Sequence, residues 1–185
     1  MIDRRAALAG IATMFGASLF APLARAAAAD LVAIADGPPS VPVFSAAQRA
    51  LLTALSERII PTTDTPGAIA ADVPAYIEKL LADWALPEDA TLITAGLDRM
   101  NGIAHAEYGL PLVEAGPARQ DGLLSRAMDD GFPDGRTFFE ALRQMVIAGY
   151  FTSDIGMTVE RVYLPVPGHY DGAYPMERVK RVFSA

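Results

Sequence analysis

Val73-Pro74-Ala75-Tyr76-Ile77-Glu78-Lys79-Leu80-Leu81-Ala82-Asp83-Trp84 decides the fold class. Val73, Tyr76, Ile77, Leu80, Leu81 and Trp84 recur at the 3.6-residue spacing of a helix with one apolar face. Asp72 stands where an N-cap belongs, and Pro74 falls in the first turn, where its missing N–H leaves no bond unmade. Upstream, Ser45 and Gln48 have the spacing of a capping box. Leu51, Leu55 and Ile59 then follow four residues apart until Pro61 stops that helix. Downstream, a third helix is predicted from about Glu88 to Tyr108, with Ile93, Leu97, Met100 and Ala104 on one face. Gly96 and Gly102 either weaken it or mark close packing. A shorter helix is predicted over Leu123 to Met128. A fifth begins near Gly135 and turns Phe138, Phe139, Leu142, Met145, Val146 and Tyr150 inward. No alternating run is long enough for a strand. The expected fold is all-α, a small irregular bundle of about five helices with an extended Pro/Gly-rich C-terminal segment.

The chain's 185 residues suffice for one domain with a full core, and 52% hydrophobic content argues against a disordered chain. With no cysteine there is no disulfide framework, no thiolate metal site and no cysteine nucleophile. Two histidines, His105 and His169, cannot by themselves build a His-rich metal site. A net charge of −7 argues against nucleic acid as a partner, because phosphate binding calls for a basic surface.

The first 28 residues read as an address. Arg4-Arg5 directly precedes the weakly apolar, Ala/Gly-rich run Ala6 to Leu23, and Ala24-Arg25-Ala26 or Ala26-Ala27-Ala28 offers a small-x-small cleavage pattern. The arginine pair resembles a twin-arginine signal, which a receptor reads in order to export folded proteins. A plain secretory signal or a retained anchor helix is the competing reading. This segment holds three arginines against Asp3, a net of +2, so the remainder carries −9. Residues 29–44, which include Asp36-Gly37-Pro38-Pro39-Ser40-Val41-Pro42, form a Pro-rich lead-in, and residues 45–185 form the helical domain. No later apolar stretch is long enough to span a membrane.

Two loops are unusually ordered in composition. In Pro61-Thr62-Thr63-Asp64-Thr65-Pro66-Gly67-Ala68, Thr and Asp side chains are suited to bond nearby N–H groups, Pro fixes φ, and Gly allows a tight turn. Such a rigid polar loop is either a well-made helix stop or a contact or ion site. The second is Leu164-Pro165-Val166-Pro167-Gly168-His169-Tyr170-Asp171-Gly172, whose prolines preclude a helix. An extended segment of this kind must lie against its own core or another chain. Tyr163, Tyr170 and Tyr174 are its natural anchors at an interface, since tyrosine couples a large apolar face to a hydroxyl.

The search for catalytic groups yields little. There is no G-x-S-x-G, no G-x-G-x-x-G and no phosphate loop. His105, beside the core position Ala104, reads as a satisfied structural histidine. Ser153-Asp154 reads as a helix exit or cap. Asp64, Asp154 and Asp171 are candidate acid–base carboxylates that the sequence cannot place together.

Ile59-Ile60-Pro61-Thr62-Thr63-Asp64-Thr65-Pro66-Gly67-Ala68 and the helix after it resemble the gluconate 2-dehydrogenase subunit 3 family. Tyr150-Phe151-Thr152-Ser153-Asp154-Ile155-Gly156-Met157-Thr158 and Pro165-Val166-Pro167-Gly168-His169-Tyr170-Asp171-Gly172 match its C-terminal half. Asp154 stands where Glu is expected, and Ala173 where Cys is common, which removes any thiol-dependent role at that turn. The resemblance implies a non-catalytic small subunit of a periplasmic, membrane-associated dehydrogenase that oxidises sugars, glycosides, polyols or sugar acids. It further implies a large FAD-bearing partner of the glucose–methanol–choline type, a cytochrome c subunit carrying haem c as electron acceptor, and no cofactor in this chain. A large subunit without its own signal would cross the membrane through the twin-arginine translocase only when bound to the Arg4-Arg5 signal's carrier. Partner contacts are then expected among Thr62, Asp64, Thr65, Tyr150, Asp154, Tyr163, Pro167, His169, Tyr170, Asp171 and Tyr174. The alternative is a stand-alone secreted helical enzyme or ligand-binding domain using Asp64, His169 and Asp171.

Overall fold

A computed structural model describes residues 38–163 together with Gly168, Ala173, Pro175, Glu177 and residues 182–184. Among these the chain is mostly helical, as the apolar periodicity requires, with five α-helices longer than ten residues. The first, α1 (Ala46–Ile59), opens on the expected capping box. Gln48 N–H donates to Ser45 Oγ at 3.2 Å, and Ser45 N–H donates to Gln48 Oε1 at 2.9 Å. The helix ends one residue before Ile60, ahead of Pro61.

Helix α2 (Val73–Asp83) buries Val73, Ile77 and Leu81, while Tyr76, Leu80 and Trp84 are half-buried at its flanks. Asp72 does not cap it through its side chain. A capping side chain reaches the first turn from an extended backbone. Here Val73 N–H closes onto Ala68 O and Asp72 N–H onto Ile69 O, which turns Asp72 left-handed at φ 55°. Glu78 also faces inward, where Arg49 of α1 grips both its oxygens at 2.8 and 2.7 Å. That guanidinium holds the Glu78 carboxyl below the usual carboxylate range.

Helix α3 (Pro87–Tyr108) buries Ile93, Leu97, Met100 and Ala104, the predicted face, and ends at Gly109 with φ 74°. Gly96 marks close packing, because a Cβ there would overlap the Phe138 ring; around Gly102 there is open space. His105 is exposed rather than a buried structural histidine, one position around the helix from buried Ala104. Helix α4 (Pro117–Met128) starts six residues earlier than the sequence pattern predicts. Its polar first half still turns Gln120 inward, where Nε2 reaches the carbonyls of Leu112 and Val113 at 3.2 and 3.3 Å. Helix α5 (Gly135–Thr152) buries Phe138, Leu142, Val146 and Tyr150 and touches all four other helices, so it is the axis of the bundle.

Between helices, Arg58–Asp121 ties α1 to α4 and Arg126–Glu107 ties α4 to α3. Upstream of α1, Phe44 is buried in the core, and Ser40 N–H donates to Asp83 on α2. After α5 a π-helical turn (Gly156–Glu160) leads into β1 (Val162–Tyr163). This pairs in parallel with β2 (Phe183–Ser184), Val162 opposite Phe183 and Tyr163 opposite Ser184.

Candidate functional site: a braced loop on the end of the bundle axis

The Pro61–Ala68 loop lies between α1 and α2 and is held from three directions. Glu57, on the last turn of α1, holds its two ends together: Thr62 N–H donates to one carboxylate oxygen at 2.8 Å and Ile69 N–H to the other at 3.2 Å. Partial burial alone would push the Glu57 carboxyl up. The hydroxyl and N–H of Thr62 and the Ile69 N–H outweigh it and hold the group below the usual value. Within the loop, Gly67 N–H donates to Thr62 Oγ1 at 3.0 Å and Thr63 N–H to Thr65 O at 3.0 Å. Ala68 N–H closes the loop onto Ile60 O at 2.9 Å. A Cβ on Gly67 would lie 2.8 Å from Ile60 O, so the crossing of the two strands of the loop requires glycine.

The second brace comes from α5. Tyr150 is only 2% exposed, its ring packs edge-on against Phe151 at 5.2 Å, and its hydroxyl donates to Pro66 O at 2.7 Å. Burial, with the nearby Glu160 carboxylate, pushes the Tyr150 phenol up against the opposing effect of the Thr65 hydroxyl, so it stays a neutral donor. The third brace is Thr65 Oγ1, which donates to Glu160 Oε2 at 2.7 Å.

The polar groups of the loop are therefore spent mainly on its own backbone and on these braces. Pro61, Thr62, Thr63 and the Asp64 carboxylate face outward, with the side chain of Ile69 beside them, 49% exposed. Asp64 accepts the neighbouring Thr63 hydroxyl at 3.0 Å and keeps its remaining acceptor capacity toward solvent. The loop thus holds its backbone fixed while one carboxylate and one isolated aliphatic group stand outward.

Of the residues singled out in the sequence, Thr62, Asp64, Thr65 and Tyr150 are gathered at this loop, with Tyr150 beneath it. Asp154 is exposed at the exit of α5, and among the described residues no hydrogen bond joins it to Asp64. Ser153 does form the helix exit: its Oγ donates to Tyr150 O at 2.6 Å and accepts from Gly156 N–H at 3.1 Å. Tyr163 lies in β1 and is 48% exposed. Arg4, Arg5, Pro167, His169, Tyr170, Asp171 and Tyr174 lie outside the described residues. Sequence reasoning missed Glu57 and Glu160, whose carboxylates do the bracing. Glu57 precedes a loop rich in donors, and that proximity was the available signal.

Among the described residues no three His, Asp or Glu side chains come together as a metal site, and no helix is long and apolar enough to cross a membrane. Neither a curated protein nor a solved structure matches the chain. The family model for gluconate 2-dehydrogenase subunit 3 does match, over residues 46–168. That span runs from the first residue of α1 through the braced loop, the bundle axis and the π turn, and on these grounds the chain belongs to the gluconate 2-dehydrogenase subunit 3 family.

Proposed function

We propose that this chain is the non-catalytic small subunit of a periplasmic, membrane-associated flavoprotein dehydrogenase acting on sugars, glycosides, polyols or sugar acids. Membership of a subunit family implies a multi-subunit dehydrogenase. The finer reading is that the chain stabilises a large FAD-bearing subunit of the glucose–methanol–choline type and escorts it through twin-arginine export. Flavin is inserted in the cytoplasm, so the large subunit folds before it crosses the membrane. A folded protein without its own signal needs a carrier, and Arg4-Arg5 supplies the receptor-read address. A cytochrome c would take the electrons onward.

The observation that carries this reading is the braced loop. Fixing a loop in advance reduces the entropy lost on docking, and that favours a binding surface. Thr62, Asp64 and Ile69 are its outward contacts, and Thr65 and Tyr150 hold it from beneath. Asp154, Tyr163, Pro167, His169, Tyr170, Asp171 and Tyr174 extend the contact over the C-terminal half. The test is affinity purification of the flavoprotein through this chain, comparing wild type with Ile69→Asp. A charge placed in a desolvated contact costs several kcal/mol, so retention of the large subunit is expected to fall by about a hundredfold or more. Equal retention by both chains would remove the loop from the interface.

A further inference from the structure

Glu160 is the last residue of the π turn, and its carboxylate reaches across 95 positions of sequence to take the Thr65 hydroxyl at 2.7 Å. The backbone that carries it has little freedom. Gly156 is buried, and a Cβ there would lie 2.8 Å from both the Tyr150 carbonyl carbon and the Phe151 Cα, so the turn is pressed directly onto the end of α5. Ser153 Oγ holds its first N–H, and Arg161 N–H closes its last turn onto Gly156 O at 3.3 Å. Next along the chain, the Arg161 guanidinium stacks on the Phe151 ring at 4.3 Å from its centroid. A π turn is a rare geometry that concentrates at functional positions. Here its effect is to aim one carboxylate at one hydroxyl of the loop.

We propose that Glu160 is a positioning residue that presets the Thr62–Ile69 loop for docking. The proposal rests on the partner-facing reading of the loop. Tyr150 and Glu57 hold the backbone of the loop, through Pro66 O and through the N–H groups of Thr62 and Ile69. Glu160 instead takes a side-chain hydroxyl of the loop, that of Thr65, one residue from Asp64.

The experiment is amide hydrogen exchange on the full chain at Thr63, Gly67 and Ala68, for wild type, Glu160→Ala, Thr65→Val, the double variant and Thr65→Ser. A hydrogen bond to a charged acceptor is worth enough that exchange at these amides is expected to rise about tenfold in either single variant. The double variant is expected to be no faster than the singles, and Thr65→Ser to return to the wild-type rate. Unchanged exchange in Glu160→Ala overturns the proposal, as does a uniform rise across all five helices, which would mean only a general loss of stability. The affinity of Glu160→Ala for the flavoprotein subunit, expected to fall by a similar factor, is read separately. Faster loop exchange with unchanged affinity would keep Glu160 as the loop's anchor and overturn the docking role of the loop.

Discussion

Gly96 and Gly102 sit six residues apart on the same helix, and the structure predicts opposite outcomes for the same substitution at each. Alanine is favoured over glycine inside a helix by about 1 kcal/mol, because glycine loses more backbone freedom on folding. At Gly102 nothing lies within 4 Å of the new methyl, so Gly102→Ala keeps that gain and is expected to stabilise by about 0.5–1 kcal/mol. At Gly96 the methyl would overlap the Phe138 ring, which is 1% exposed and locked in the core between α3 and α5. Overpacking of this kind costs about 1–3 kcal/mol after relaxation, and here the obstacle is a ring with nowhere to move. The same propensity gain offsets part of that cost, so Gly96→Ala is expected to destabilise by about 1–2 kcal/mol. Urea unfolding of both variants measures the two signs in one experiment. Midpoints should move apart, with unchanged slopes showing that stability and not the unfolded ensemble has changed. If Gly96→Ala is as stable as Gly102→Ala, the close crossing of α3 and α5 is wrong, and with it the axis that carries Tyr150 to the loop.

Two further outcomes follow from the loop and the tail. Glu57→Gln replaces a carboxylate whose two oxygens each take an N–H by an amide that turns an NH₂ toward one of them, so the variant is expected to be less stable at neutral pH. Because the folded Glu57 carboxyl sits below its ordinary value, its contribution is complete above that ordinary value and is lost as pH falls through the folded one. The stability gap between wild type and variant, read from urea midpoints, should therefore close as pH falls through and below the ordinary carboxylate range, and a gap that widens on acidification would contradict the assignment. Tyr170→Ala is expected to leave the melting temperature in place while weakening the hold on the flavoprotein by about 2 kcal/mol, some thirtyfold; early melting with unchanged affinity would assign Tyr170 to the chain's own core.

The helical architecture was legible because its decisive signals are local. The capping box at Ser45 and Gln48, and the faces Val73–Leu81 and Ile93–Ala104, specify helices whatever surrounds them. Where a buried position is polar, the pattern failed. Arg119-Gln120-Asp121-Gly122 breaks the apolar period of α4, although Gln120 is inside the bundle, because its amide is satisfied by the carbonyls of Leu112 and Val113 in the 3₁₀ turn Leu112–Glu114 before the helix. Asp72 has a capping residue's chemistry but not its backbone, and the turn from Ala68 to Val73 that sets its φ is a three-dimensional closure. The loop Pro61–Ala68 was legible as ordered from its Thr, Pro and Gly content. The groups that order it were not. Glu57 and Glu160 look like any solvent-facing acid along the chain, and a contact spanning 95 residues leaves no trace in local spacing. The π turn likewise has no periodicity to read, and Gly156 is its only mark in the sequence.

If this chain and a flavoprotein form one exported dehydrogenase, fractionation of the native host recovers the two together. Flavin absorbance and sugar or sugar-acid oxidation in the periplasmic fraction are followed for wild type and for the variant carrying Arg4→Lys and Arg5→Lys. A receptor that reads the arginine pair does not accept the same charge on lysine. Flavin is expected to co-elute with this chain in the wild-type periplasm, and both the chain and the flavoprotein to stay in the cytoplasm in the variant. A flavoprotein that still reaches the periplasm, active and without this chain, would contradict it.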